Sequence, residues 1–585
     1  MNKQLLSMAI TAGLACTSLP GLAAVDVILH NAKVYTAEPG QPLQQAVAVE
    51  GEKIVAVGSN QDVLRLKTNA TQVIDLGGKV LMPGMLDSHS HAIKGGLQLE
   101  LANLAGEQIP LDALEQRLRE WRDNGKARRG EFLSVGGLPG TYWDDIAALE
   151  QRFNHGEWAD QPILFAANDM HTGWANQAML KRAGIDASTI AALPADARNT
   201  IGQHPDGTPN GFLADASYYP ATDLLPPLSH EVLMTAGRLA VNYYKALGIT
   251  GWMDPLANEL PGADVKNDSL GLLPVYKDLS ERGELTVHVA ALLMANAKAR
   301  PSDLDELDKV RQQFLGVHNL TLPGIKVFAD GVAEAPAQTA AMLEPYKNSG
   351  LRGELLLDPA TFGELVSAAD ARGWLVHVHA IGNRAVREAL NGIAQARRDR
   401  NSGIAHSITH LQMVSPQDYP RFKALNVIAA MQLYWAAADE SNMTLVKPYV
   451  DAMAFMHTYP ARSLLKQGAT LSGASDWPIT TPEPWKAIYQ AVTRKGPKGV
   501  LNAGEAIDRE QMFQAYTLNS AKAMRLDQQV GSLKVGKLAD MIVLDRDVLT
   551  VPPEALRDTQ VEQTWFAGKQ IYAGPTGLAA AALIR

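Results

Sequence analysis

Five side chains that can bind a metal ion stand at or just after the ends of short apolar segments, far apart in the chain. They are His89, His91, His379, His410 and Asp476. His89 and His91 form a His-x-His pair, and residues i and i+2 of a strand point to the same side. Neutral imidazoles together with a carboxylate suit zinc or a similar divalent ion. If these segments end at one place in the fold, the pattern predicts a metal centre.

Lys326 lies inside a further apolar segment, residues 324–328. A lysine buried in such a segment is costly unless its charge is paired or chemically removed. Carboxylation by CO₂ would turn it into an anionic oxygen ligand, whereas an unmodified lysine could bind substrate or pair with an acid. His377, two residues before His379, is expected to be a packed histidine or to support a ligand from behind.

The middle of the chain, about residues 83–525, alternates short apolar segments with segments of helical periodicity. The strand candidates are residues 285–293, 324–328, 375–379, 427–431 and 469–471, and the helix candidates are 232–247, 359–372, 385–397 and 510–524. This alternation predicts an α/β fold, a (β/α)₈ TIM barrel, whose chemistry gathers at the carboxyl ends of the strands. Residues 97–228 break the rhythm, and we expect them to form a long insertion near the barrel mouth.

Both ends of the chain contain short alternating runs that are typical of antiparallel strands. These runs fall within residues 25–82 and 526–575. We expect the two regions to form one small composite β-sandwich domain beside the barrel.

Residues 1–24 have the features of a secretory signal peptide: Lys3, an apolar run at 5–14 and small residues at 21–24. A buried N-terminal helix and lipid attachment at Cys16 are the alternatives. Cys16 is the only cysteine, so the mature chain would lack a thiol and any metal site in it must use imidazole and oxygen ligands. We expect an exported protein, periplasmic if the source is Gram-negative.

Composition narrows the classes of function. The formal net charge is −9, without a long basic run, which argues against a general nucleic-acid binder. No segment after the leader has the roughly 18 uninterrupted apolar residues that a membrane span needs. No Gly-x-Gly-x-x-Gly follows a strand candidate, which disfavours a Rossmann-type oxidoreductase. The expected partner is a small-molecule substrate, and a homodimer stays open.

Seven segments, most of which contain a candidate site residue, form recognisable sequence motifs. They are residues 83–91, 168–185, 326–331, 379–386, 410–416, 475–478 and 531–543. Together they resemble the metal-dependent amidohydrolase superfamily, and within it amidohydrolase family 3, which includes YtcJ-like proteins and N-substituted formamide deformylases. The resemblance covers nearly all of the mature chain. It implies one or two divalent metal ions, with zinc expected.

The resemblance also implies roles for the ligands. His89 and His91 would bind the more buried ion, and His379 and His410 would be ligands from the fifth and sixth strands. Asp476 would contact the metal and act as general base, moving a proton from water to the leaving nitrogen; its alternative is a helix N-cap. Carboxylated Lys326 would bridge two ions.

Further residues are substrate-site candidates. His171 would polarise the substrate carbonyl or, alternatively, stabilise its loop. Trp143 and Trp174 lie in the insertion, where aromatic residues could equally form its core. The family often has a Pro and a His after the Gln of the seventh strand, whereas here Gln432 is followed by Leu433, Tyr434 and Trp435. The family's substrates therefore do not transfer directly, and the aromatic pair favours an apolar or ring-bearing substrate.

The sequence therefore predicts a metal-dependent amidohydrolase that hydrolyses carbon–nitrogen bonds, other than peptide bonds, in a small amide, N-acyl, N-formyl or cyclic amide substrate. The same site could support a lactonase, an esterase or a deaminase. An isomerase or lyase that stabilises an enolate on the metal is a second class. A non-catalytic exported binding protein is a third.

Overall fold

A computed structural model describes residues 25–167, 172–194, 198, 200–214, 217–260, 265–335, 337–400 and 402–574. The predicted leader with Cys16, and His171, lie outside these residues. Within them, no helix combines the length and apolar character needed to cross a bilayer.

The centre of the molecule is a barrel of eight parallel strands, which confirms the predicted fold class. In chain order the strands are β1 Met85–Asp87, β2 Ile249–Asp254, β3 His288–Met294, β4 Leu320–Phe328, β5 Leu375–Ala380, β6 His406–His410, β7 Val427–Met431 and β8 Thr470–Gly473. Each pairs with the next in parallel. The amide of Ser88 donates to the carbonyl of Gly473 at 2.9 Å and so connects β8 to β1. Because helices cover the outside, most strand residues are buried, which explains their nearly unbroken apolar sequences.

Helices follow the barrel strands as the alternation predicted. The main ones are Ala92–Glu100, His230–Ala246, Leu273–Glu281, Asp303–Gln312, Phe362–Ala371, Asn383–Asp399, Tyr419–Ala424, Ala461–Lys466, Pro484–Thr493 and Arg509–Gln514. Strand β2 was not among the strand candidates. Its sequence, Ile-Thr-Gly-Trp-Met-Asp, contains a glycine and two polar residues, yet all six of its residues are buried.

Residues from both ends of the chain form two further sheets. One contains Val27–His30, Ala46–Glu50, Lys53–Gly58 and Gln72–Asp75, and the other contains Lys33–Val34, Val80–Pro83, Met541–Leu544, Val561–Phe566 and Lys569–Ala573. Met541–Leu544 pairs antiparallel with Val80–Pro83, so distant ends of the chain share one sheet. Side chains from both sheets meet in one apolar core, among them Leu29, Val47 and Met541. The exact domain bounds stay predictions.

The region between the first barrel helix and β2 has its own mixed six-stranded sheet. Its strands are Arg128–Arg129, Phe132–Leu138, Ile163–Ala167, Thr172–Ala175, Ile201–Gln203 and Pro209–Ala214. Helices Leu111–Asp123, Ile146–Phe153, Gln177–Ala183, Ala187–Ala192 and Tyr219–Thr222 accompany it. Trp174 is fully buried in this region, stacks on Phe165 and donates its indole N–H to the carbonyl of Asn210. The large apolar ring of Trp174 therefore packs in the core of the insertion, and its contact with substrate stays a prediction.

Candidate metal centre

Three of the predicted ligands form one compact group beyond the carboxyl ends of β1, β6 and β8. His89, His410 and Asp476 each offer a ligand atom within 4.8 Å of the others, and all three side chains are buried. The Nε2 atom of His89 lies 3.4 Å from Oδ1 of Asp476. The Nδ1 atom of His410 lies 3.8 Å from Oδ2 of the same carboxylate.

His91 joins this group, although not for the reason that the sequence suggested. Strand β1 ends at Asp87, and His91 is the N-terminal cap residue of helix Ala92–Glu100, so strand alternation does not align the His-x-His pair. Two backbone hydrogen bonds align it instead. The amide of Asp476 donates to the carbonyl of His89 at 2.9 Å, and the amide of His91 donates to that of Trp477 at 2.8 Å. As a result, Nε2 of His91 also lies 3.4 Å from Oδ1 of Asp476.

Two of these residues have a left-handed backbone conformation. His410 has a φ of 74° and Asp476 a φ of 59°. Such a conformation costs about 1–3 kcal/mol for a residue with a side chain, and it persists where the surrounding structure imposes it, often at functional sites. Both strained residues belong to the candidate ligand group.

His379 and Lys326 lie at the ends of β5 and β4, beside this group. The ring of His379 contacts the ring of His410 edge-on, with centroids 4.4 Å apart. Its Nε2–H donates to the carbonyl of Gly331 at 3.1 Å. Lys326 is 1% exposed, with its Nζ 4.9 Å from the centroid of Phe328. Burial lowers the pKa of Lys326 to about 7, although the charge of Asp476 opposes this effect.

Unpaired polar atoms in the ligand group test whether a metal ion fits it. Nδ1 of His91, Nδ1 of His410 and Oδ1 of Asp476 are buried and have no hydrogen-bond partner. An orphaned buried polar atom costs about 1–3 kcal/mol. Several of them within one cluster of imidazoles and a carboxylate are what a divalent cation would satisfy, so the donor set fits a metal ion.

The protonation of the group agrees with metal binding, since ligands must be deprotonated. Burial lowers the pKa of His89 and of His410 well below its usual value, and nearby positive groups add to this effect. The pKa of Asp476 is lowered although burial would raise it, because the polar contact with His91, whose Nε2 lies 3.4 Å away, and the charge of Lys326 favour the carboxylate. The centre therefore combines neutral imidazoles with an anionic aspartate.

Asp87, to which sequence reasoning gave no role, connects the segments that carry the candidate ligands. Its carboxylate accepts hydrogen bonds from the amides of His89, at 3.2 Å, and Ser475, at 3.0 Å, and from the hydroxyls of Ser475 and Tyr244. Burial raises the pKa of Asp87 to about 7, against these hydrogen bonds. Its only sequence signal was its position two residues before His89, within the first motif.

Asp330, two residues after the end of β4, is a second buried aspartate. It accepts hydrogen bonds from the backbone amides of Ala341, Ile381 and Gly382 at 2.8–2.9 Å, and its Oδ1 lies 3.6 Å from Nε2 of His379. It thereby ties the loop after β4 to the loop that follows His379. Burial raises its pKa to about 7.

The three remaining substrate-site candidates have different surroundings: Trp435 lies by the metal centre, Tyr434 against the barrel core and Trp143 in the insertion. Trp435 stacks on His410, with ring centroids 5.6 Å apart and an interplanar angle of 6°, and its indole N–H donates to Thr480 at 2.9 Å. Tyr434 is partly buried against the barrel core. Trp143 is in the insertion, where its indole N–H donates to Thr172 at 2.9 Å.

Comparison with known proteins supports the resemblance to amidohydrolases over nearly the whole length of the chain. The profile of the amidohydrolase family matches residues 72–572. The chain is 26% identical to YtcJ of Bacillus subtilis over 94% of this chain and 99% of that protein. It is 25% identical to N-substituted formamide deformylase of Arthrobacter pascens over 93% of this chain and 97% of that protein.

A solved structure shares the fold. The crystal structure of an uncharacterized metal-dependent hydrolase from Pyrococcus furiosus aligns with a TM-score of 0.68 at 23% identity, over 90% of this chain and all of that one. The resemblance found in the motifs is thus confirmed along the chain. Family profile, full-length relatives and barrel agree, and the chain belongs to the amidohydrolase family.

Proposed function

We propose that this protein is a zinc-dependent amidohydrolase that cleaves a carbon–nitrogen bond, other than a peptide bond, in a small amide, N-formyl, N-acyl or cyclic amide substrate. The observation that carries the proposal is the position of Asp476. Its carboxylate lies 3.4 Å from Nε2 of both His89 and His91, and 3.8 Å from Nδ1 of His410. The full-length relative whose name specifies N-substituted formamides supports the carbon–nitrogen class.

The residues that would hold the metal are His89, His91, His379, His410 and Asp476. A divalent ion held by these residues would lower the pKa of a water molecule to near neutrality and would polarise the scissile carbonyl. Only imidazole and oxygen donors are available, because the described chain contains no cysteine. Zinc accepts such a set.

Asp476 performs the proton transfer in this proposal. As an anion at neutral pH, its carboxylate accepts a proton from the attacking water while the water oxygen bonds to the carbonyl carbon. The same oxygen then donates the proton to the nitrogen as the carbon–nitrogen bond breaks. Proton transfer by a positioned side chain contributes about 10²- to 10⁴-fold to the rate.

Carboxylation of Lys326 would extend the site to two ions. Among the described residues, no carboxylate lies within 4.0 Å of its Nζ, and its pKa near 7 leaves part of the amine neutral, the form that reacts with CO₂. The carbamate would exchange a poorly tolerated buried cation for an anionic ligand. His171 stays a candidate for polarising the carbonyl.

We also propose that the protein is exported after cleavage near residue 24. The support is the sequence of residues 1–24 alone. N-terminal sequencing of the protein recovered from the periplasm of an expression host tests it, and an intact Met1 in the cytoplasmic fraction would contradict it.

A substrate screen tests the reaction. The full-length protein, stripped with a chelator and reloaded with zinc, is offered N-substituted formamides, N-acyl amino acids, cyclic amides and, for the alternative chemistry, lactones and esters. We expect amide hydrolysis that falls at least about 10²-fold in the Asp476→Asn variant and is unchanged in Asp278→Asn, whose partly exposed carboxylate pairs with His230. Turnover of esters or lactones alone, or full activity in Asp476→Asn, would refute the proposal.

A further inference from the structure

A second histidine stands directly behind His89, and a serine stands behind that histidine. Nδ1 of His89 lies 2.7 Å from Nε2 of His377, and Nδ1 of His377 lies 2.6 Å from Oγ of Ser407. All three side chains are at most 1% exposed. His377 and Ser407 are direct partners in the pairing of β5 with β6, so the barrel itself fixes the outer link.

Both ring nitrogens of His377 are used in this chain of contacts. A neutral imidazole donates at one nitrogen and accepts at the other. His377 therefore has no lone pair left for a metal ion, which separates it from His379 two residues later on the same strand. Its hydrogen bond to the ligand group is made to the ring of His89.

The chain of hydrogen bonds can run in two directions. In one direction, Nδ1–H of His89 donates to His377, Nδ1–H of His377 donates to Ser407, and Nε2 of His89 presents a lone pair to Asp476 and the other ligands. In the other direction, Ser407 donates to His377 and His377 to Nδ1 of His89. Nε2 of His89 then carries the proton and points it at Oδ1 of Asp476, 3.4 Å away.

We propose that His377 is a positioning residue that, together with Ser407, fixes the ring orientation and tautomer of His89, and that zinc binding selects the direction in which Nε2 of His89 bears the lone pair. This inference rests on the zinc site of the proposed function. The hydrogen-bonded partner of a metal-bound imidazole sets which nitrogen faces the ion and raises its basicity as a ligand. Zinc binding in this direction removes no proton from either histidine.

Variants of His377 separate its hydrogen bond from its bulk. His377→Phe keeps a planar ring and loses both hydrogen bonds, whereas His377→Gln retains an amide oxygen that can accept from His89. The matched control is His406→Phe on β6. His406 is equally buried, but it accepts the amide of Val376 and faces Asp370, away from the ligand group.

Zinc affinity of the full-length protein is measured by competition with a chromophoric chelator, without substrate. We expect His377→Phe to weaken zinc binding about 10- to 100-fold, with His377→Gln closer to wild type than the Phe variant. His406→Phe should lower the melting temperature and leave zinc affinity unchanged. Since no substrate is present, failure of the hydrolysis screen would not affect this result.

A folded His377→Phe variant that binds zinc like wild type would overturn the proposal. If that variant does not fold, NMR of the wild-type protein with ¹⁵N-labelled histidine still tests the proposal. Zinc loading should place the His89 proton on Nδ1, and Ser407→Ala should weaken zinc binding in the same sense as His377→Phe. A proton on Nε2 of zinc-loaded His89, or zinc bound through Nδ1, would equally overturn it.

Discussion

Asp87, the last residue of the first barrel strand, accepts both the backbone N–H and the hydroxyl of Ser475, the residue directly before Asp476. The same carboxylate accepts the amide of His89 at 3.2 Å. Asp87 therefore joins the segment that carries two candidate ligands to the segment that carries the proposed general base. The separation between His89 and Asp476 depends on this carboxylate as well as on their own side chains.

Replacing Asp87 with asparagine should disrupt this connection. An amide has one acceptor oxygen, whereas the carboxylate accepts two backbone amides on one oxygen and two hydroxyls on the other. Leaving one buried donor without an acceptor costs about 1–3 kcal/mol. We expect urea unfolding of Asp87→Asn to show a loss of this size together with reduced zinc content. Tyr244→Phe, which removes one of the hydroxyl donors, is the milder control, and wild-type stability and zinc content in Asp87→Asn would contradict the role.

We expect metal binding to depend directly on the His-x-His pair. Changing His89 and His91 together to alanine should abolish bound divalent metal, since both Nε2 atoms lie 3.4 Å from Oδ1 of Asp476. Elemental analysis of the purified protein measures this. His230→Ala is the control, because that side chain is half exposed and pairs with Asp278 on the surface. Stoichiometric metal in the double variant would show that the pair does not bind the metal.

The candidate ligands could be proposed from sequence because the signal for each lies in a short stretch of chain. An apolar run followed by a histidine or an aspartate needs no distant information, and parallel strands bring their carboxyl ends to one edge. The pattern of β3 to β8 was visible for this reason. Strand β2 escaped because its glycine and threonine weaken the apolar signal that its burial would predict.

What the sequence could not provide were contacts between distant segments. His89 and His91 converge through hydrogen bonds to residues 476 and 477, almost 400 positions away, and not through strand alternation. The same limit explains why Asp87 received no role, since its partner is Ser475. The motif around Trp174 likewise marks the residue but does not say whether its ring faces a cavity or the core of the insertion, where the structure packs it.

The stability of the metal-free protein should depend on pH through Asp330. Burial raises its pKa from 3.8 to about 7. Below pH 4 the carboxyl is protonated in both states; between pH 4 and 7 the unfolded chain releases the proton and the folded protein keeps it. The contribution of Asp330 is therefore full below pH 4 and is lost as pH rises through 7, by up to about 4 kcal/mol at 1.36 kcal/mol per pKa unit.

Urea unfolding of chelator-treated wild type and Asp330→Asn between pH 4 and 8 measures this contribution. The asparagine cannot titrate, so the stability of the wild type relative to the variant should fall with rising pH and become constant above pH 7. A difference that stays constant over the whole range would show that Asp330 does not titrate in this window.

Lys326 should carry a carbamate in the zinc-loaded protein. Its buried amine, with a pKa of about 7, has no carboxylate partner within 4.0 Å among the described residues, and zinc would stabilise the anionic product. Zinc loading in ¹³C-bicarbonate should give a carbamate carbon resonance that is absent from Lys326→Met. In a high-resolution crystal structure, bare amine density beside two metal ions would refute the bridge.

Trp435 should influence which substrates the site accepts, because its indole lies parallel to the imidazole of His410 at 5.6 Å. An aromatic contact of this kind is worth about 0.5–1.5 kcal/mol beyond its buried area. We expect Trp435→Leu to lower kcat/KM about 2- to 12-fold, by the same energies, and more for ring-bearing amides than for formamide-sized ones. Trp435→Phe keeps a stacking ring and loses only the hydrogen bond to Thr480, so it should retain most of the preference. Equal losses for large and small substrates in Trp435→Leu would assign the indole to holding His410 in place and not to substrate selection.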